Sequence, residues 1–79
     1  MKPDETDVIV DARGHQCPVP TLRLRRALQM AEVGQIIRLY ADDPMAAIDI
    51  PHFIAEVGAD LVLKSDHEGA MSFRVRKPT

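Results

Sequence analysis

A single cysteine, Cys17, sits in the segment Asp11-Ala12-Arg13-Gly14-His15-Gln16-Cys17-Pro18-Val19-Pro20. A thiol is nucleophilic as the thiolate, and a helix start supplies a partial positive charge and unpaired N–H groups that favour the anion. Pro18 suits the first helical position, because the N–H it lacks is one the helix leaves unpaired anyway, and Pro20 falls in the same first turn. This placement predicts a thiol pKa lowered from ~8.5 toward ~3.5 to 7.5, with amides one or two residues past Pro18 as donors. A plainer role also fits, in which Cys17 is a small hydrophobe closing the first turn. Gly14, the flanking polar residues and the Pro-x-Pro entry favour an exposed tip that a partner's sulfur can reach.

Other candidates gather around this segment. His15, two residues before Cys17, fits a proton shuttle or a plain solvated loop residue. Asp42, Asp43 and Asp49 are the oxygen donors that hard cations use, but their positions before Pro44 and Pro51 are explained more simply by helix capping, and no metal site is expected. Arg13, Arg25, Arg26 and Arg38 form either a basic rim for acidic partners or a solvated face. A Cys-His hydrolase is excluded by size, since nothing supplies an orienting third group or an oxyanion pocket.

The elements that must position Cys17 follow from periodicity. Val8-Ile9-Val10 reads as a short buried strand running to about Asp11. After the Gly14 loop, Leu24, Ala27, Leu28 and Ala31 mark the buried stripe of a helix that begins at Pro18 and is capped by Gly34. Its other side mixes Val19, Leu22 and Met30 with Arg23 and Arg26. Ile36 to Ala41 is a second strand, followed by Asp43 as N-cap and Pro44 as first helical residue. Pro51 predicts an irregular or 3₁₀ first turn and a fresh helix start near Asp49, carrying Ile50, Phe53, Ile54 and Val57 inward and ending at Gly58. Asp60–Asp66 and Met71–Arg76 alternate as the arms of a hairpin turning at His67-Glu68-Gly69. This order predicts an α/β (α+β) two-layer sandwich, with a four-stranded mixed sheet and two helices on one face.

Composition bounds the rest. With 79 residues the chain is one domain, read as 1–79 with a flexible tail at 1–6. One cysteine excludes an internal disulfide and a Cys-rich zinc knuckle. Ten Lys+Arg against twelve Asp+Glu gives no overall electrostatic case for nucleic acid. The charged N-terminus lacks the apolar stretch of a signal peptide and no run is long enough to span a membrane, so a cytoplasmic location without membrane attachment is expected.

Cys17-Pro18-Val19-Pro20 after Asp11-Ala12-Arg13-Gly14, then Arg25-Arg26, Ala41-Asp42-Asp43-Pro44 and Asp49-Ile50-Pro51-His52-Phe53, resembles the TusA/SirA family of sulfur-carrier proteins from about Val8 to Lys77. The resemblance implies a sulfurtransferase that needs no metal or organic cofactor and carries sulfane sulfur as a persulfide on Cys17, with Gly14, His15, Pro18 and Pro20 shaping the thiol's surroundings. It implies a donor such as a cysteine desulfurase or a rhodanese-like protein, and an acceptor protein with a receiving cysteine, in tRNA thiolation, molybdenum-cofactor or sulfur-oxidation chemistry. Arg13, Arg25 and Arg26 are the expected docking residues. Three positions depart from the family pattern: His15 stands where a hydrophobic residue is common, Val19 where an acidic one is common, and Ile54 where some relatives carry a second cysteine. The same fold resembles the C-terminal domain of a translation initiation factor, which leaves a non-catalytic RNA- or protein-interaction module as the alternative. Tyr40, Phe53 and Phe73 are the only aromatics, too few for base stacking if two are core.

Overall fold

The period-2 and period-3.6 segments fold as their spacing requires. The computed structural model describes residues 7–67 and 69–78, with His67 described through its backbone. The tail expected at 1–6 and the turn residue Glu68 therefore lie outside the described residues. Along the chain run β1 (Val8–Asp11), α1 (Val19–Met30), β2 (Ile36–Ala41), α2 (Ala46–Val57), β3 (Asp60–His67) and β4 (Ala70–Arg76). The four strands form one sheet in the order β1-β2-β4-β3. β1 runs parallel to β2, and β4 runs antiparallel to both of its neighbours.

Strand β2 is central and almost wholly apolar, so it takes partners on both edges and buries Ile37, Leu39 and Ala41 under the helices. Leu24 and Leu28 of α1, Ile50, Phe53 and Ile54 of α2, and Phe73 and Val75 of β4 close the core against it. This is the expected two-layer arrangement. No helix is long and apolar enough to cross a membrane.

Five local expectations are corrected. Pro18 is the N-cap of α1, so the helix begins at Val19 with Pro20 in its first turn. Ala31, not Gly34, ends that helix: the Leu28 carbonyl is taken by the Ala31 N–H and the Lys77 ammonium, and Gly34 lies in the turn beyond at φ 86°. Helix α2 does not restart at Asp49 but runs through Pro51. Its entry is tightened as expected, by bonds from Ala46, Ala47 and Ile48 to carbonyls three residues earlier, and the burial of Ala46, Ile50, Phe53 and Ile54 holds the helix over the one bond Pro51 cannot make. Val57, expected inward, is 44% exposed. Strand β3 extends through His67, and a register shift between Leu61 and Leu63 breaks its alternation.

Candidate functional site

The loop that carries Cys17 is built by the opposite loop, between β2 and α2. The Asp42 carboxylate accepts the Gly14 N–H with both oxygens, at 2.9 and 3.1 Å. Asp43 Oδ2 accepts the Cys17 N–H at 2.8 Å, while its Oδ1 accepts the Met45 N–H at 3.1 Å. The expectation of Asp43 as N-cap and Pro44 as first helical residue is corrected: Met45 is the N-cap and α2 begins at Ala46. The Asp43 carboxylate braces the turn before the helix and also fixes the thiol-bearing residue. These two N–H bonds hold the Asp43 carboxyl below the ordinary carboxylate range, Cys17 contributing most.

Cys17 is a free thiol, half-buried and packed against the edge of the core. Gly14, His15, Gln16 and Pro18 around it are exposed, and Pro20 is buried. The site therefore combines the two roles left open by the residues, with an exposed loop and a partly sheltered sulfur.

The expected lowering of the thiol pKa is overturned, since its surroundings push it up. Burial is the first cause, the nearby Asp49 carboxylate is the second, and the charge of Asp43 adds to both. The helix start does not reverse this, and most of its first-turn amides are missing or engaged. Pro18 and Pro20 have no N–H, the Val19 N–H is bonded to the Gln16 carbonyl at 3.0 Å, and the Leu22 N–H to the Pro18 carbonyl at 3.0 Å. The thiol's own backbone N–H is given to Asp43. Only the Thr21 hydroxyl works in the other direction. Its buried oxygen lies near the thiol but outside hydrogen-bond geometry with it or with any other described group.

Of the other expected site residues, His15 points no contact at the sulfur and engages the Ala12 carbonyl through its backbone N–H at 3.3 Å. Arg13 is drawn to the far side of the sheet. It grips the Asp11 carboxylate at 2.8 and 2.9 Å and lies over the Tyr40 ring at 5.8 Å, and this pairing brings the Asp11 carboxyl down to about 2. Arg38 is likewise committed, sharing the Asp7 carboxylate with Arg74 at 3.1 and 3.2 Å. Arg25 and Arg26 are exposed on the outer flank of α1, where they line a shallow depression of about 380 Å³ with Val19, Leu22 and Gln29. The basic rim divides accordingly into two sides. Phe53 and Phe73 are core, which leaves Tyr40 as the one aromatic on the open sheet face.

Asp49 and Thr21 were not legible as neighbours of the thiol. Nothing in the sequence links Asp49 to Cys17, because α1 and α2 meet only through tertiary packing. Among the described residues, no three His, Cys, Asp or Glu side chains converge as a metal-binding set.

With this geometry established, the chain can be compared with known proteins. The family model described as Sulfurtransferase TusA matches residues 8–77. A protein of Archaeoglobus fulgidus that is named, by inference, a sulfur carrier protein is 41% identical over 68 residues, covering 85% of this chain and 88% of the relative. The Sulfur carrier protein TusA of Pseudomonas aeruginosa is 32% identical over 71 residues, 90% of each chain. The crystal structure of a SirA-like protein from Desulfitobacterium hafniense superposes with a TM-score of 0.79 at 19% identity, over 91% of this chain and 99% of that one, and so shares the fold.

Proposed function

The chain belongs to the TusA sulfurtransferase family, whose named members include sulfur carriers, and we propose that Cys17 carries sulfane sulfur as a persulfide from one partner protein to another. The observation that carries this reading is the half-buried lone thiol of Cys17 on an exposed loop pinned by Asp42 and Asp43.

The chemistry is exchange at sulfur. The Cys17 thiolate attacks the outer sulfur of a donor cysteine's persulfide. A bond forms between Cys17 Sγ and that sulfur, the donor's own S–S bond breaks, and the donor cysteine leaves as a thiolate. The proton lost by Cys17 goes to the departing thiolate, so the exchange consumes no oxidant or reductant. Discharge repeats the step, with an acceptor cysteine attacking the outer sulfur now held on Cys17. One chain holds no second cysteine to resolve the persulfide as a disulfide, so the cargo waits for an acceptor.

The raised thiol pKa gives the unloaded carrier a neutral, slow resting state. A docked donor that turns N–H groups or cations toward Asp43 and Asp49 offsets their charges and releases the thiolate. Docking falls to the outer flank of α1, with Val19 and Leu22 as apolar contacts and Arg25 and Arg26 as the basic rim. Arg13, held over Tyr40, does not take part.

Intact mass after incubation with inorganic polysulfide is the direct test. One added sulfur atom is expected on the wild-type chain and none on Cys17→Ser; an unmodified wild-type mass would favour the interaction-module reading. Reversing charge at both Arg25 and Arg26 is expected to slow loading from a desulfurase while leaving polysulfide loading unchanged. Equal loss of both would remove the docking role.

A further inference from the structure

Among the described residues, the edge of the sheet formed by β1 is open except at the Asp11 carbonyl. Ala12 donates its N–H to the Tyr40 carbonyl at 2.8 Å, so by the alternation of a strand Val8 and Val10 turn their backbone groups toward β2, whereas Ile9 and Asp11 turn theirs outward. The outward Asp11 carbonyl accepts from Arg23 Nη1 at 2.9 Å, in agreement with that assignment. The N–H and carbonyl of Ile9 and the N–H of Asp11 are left facing away from the sheet.

Natural sheets blunt such edges with bulges and charges. The opposite edge does so, since β3 carries the register shift between Leu61 and Leu63 and displays Asp60, Lys64 and Asp66. Strand β1 has no bulge, and its pairing with β2 is in regular register throughout. Beside it runs a groove of about 360 Å³ between β1 and α1, lined by Ile9, Ala27, Met30 and Ala31 with Arg23 and Arg26 along its rim. Ile9 is 56% exposed and Met30 75%. No carboxylate among the described residues lines it.

From this combination we infer that the β1 edge and the flank of α1 form a docking groove for an extended, acidic segment of a partner protein, which adds to the sheet as a fifth strand. The N–H and carbonyl of Ile9 and the N–H of Asp11 supply the ladder, and alternate apolar side chains of the segment meet Ala27 and Met30. The segment's carboxylates meet Arg26 and the part of Arg23 not engaged with the Asp11 carbonyl. A second copy of this chain is a poor occupant, because two-fold pairing through β1 brings Arg23 and Arg26 of both copies to one seam without carboxylates from the groove. Nucleic acid is disfavoured by the absence of any aromatic side chain in the lining. The inference goes beyond the sulfur-carrier reading and does not depend on it, as no atom of Cys17 is involved.

The test uses the reduced full chain and a capped hexapeptide of alternating glutamate and valine, followed by amide chemical shifts and hydrogen exchange. Expected are shifts confined to β1 and the groove side of α1, slowed exchange at the Ile9 and Asp11 amides, and weakening by added salt. Met30 is so exposed that Met30→Glu leaves the fold intact, and it is expected to weaken the peptide by about fivefold while Met30→Lys does not. Equal binding of the lysine–valine hexapeptide, shifts elsewhere, or unchanged exchange at Ile9 and Asp11 would overturn the inference. So would concentration-dependent dimerisation through β1, or displacement of the peptide by a single-stranded oligonucleotide at this groove.

Discussion

Replacing the Asp49 carboxylate by its amide removes one of the two negative charges that face the Cys17 thiol. The thiol's folded-state pKa lies above its ordinary value, so its neutral form is favoured; the stability it contributes is complete below the unfolded pKa and is lost as pH rises through the folded one. Asp49→Asn is therefore expected to move the midpoint of Cys17 alkylation by iodoacetamide to lower pH, with faster modification at neutral pH. Burial, the largest cause, persists in the variant, so the midpoint stays above that of an unstructured cysteine. An unmoved midpoint would mean that burial alone sets the thiol. Cys17 was legible as the candidate site residue from its uniqueness and its Pro-x-Pro setting. The sign of its pKa shift was not, because a helix start is a local feature whereas Asp49 arrives from another element.

Among the elements, helix α2 shows how local signals and packing divide the decision. Gly58 was readable as its end, and it takes the left-handed conformation at φ 74°. A Cβ built there would meet no atom within 4 Å, so Gly58→Ala should cost only the backbone term, roughly 1 to 2 kcal/mol. Urea unfolding measures it, and a neutral effect would show that the turn relaxes. Pro51 was readable as a helix breaker, yet the chain stays helical across it. Four buried side chains, Ala46, Ile50, Phe53 and Ile54, outweigh one missing hydrogen bond, a comparison that propensity alone does not make.

For the molecule as a whole, so short a chain buries a thin core, and single core side chains carry a large share of its stability. Phe73 is fully buried in the hydrophobic core. Phe73→Ala is expected to cost about 4 kcal/mol, against a total of a few to about 12 kcal/mol for a domain this small. Urea unfolding should find the variant largely unfolded or close to it, and a loss below about 1 kcal/mol would mean that the core can refill the space. The basic patches read from the sequence also change meaning at this scale. Arg74 and Arg38 meet at Asp7, and Lys77 closes α1, so the exposed arginines of α1 remain as the concentrated basic surface among the described residues.

The order of elements, the inward stripes and the candidate thiol were determined by the sequence, because periodicity, glycine and proline act over a few residues and need no knowledge of the rest of the chain. Tertiary structure decided which strands became edges, which arginines were already paired, and which carboxylates faced the sulfur. Those outcomes depend on contacts between residues distant along the chain. Thus the single cysteine marked the candidate thiol, and the packing of the β2–α2 loop and α2 against it decided that its surroundings favour the neutral form.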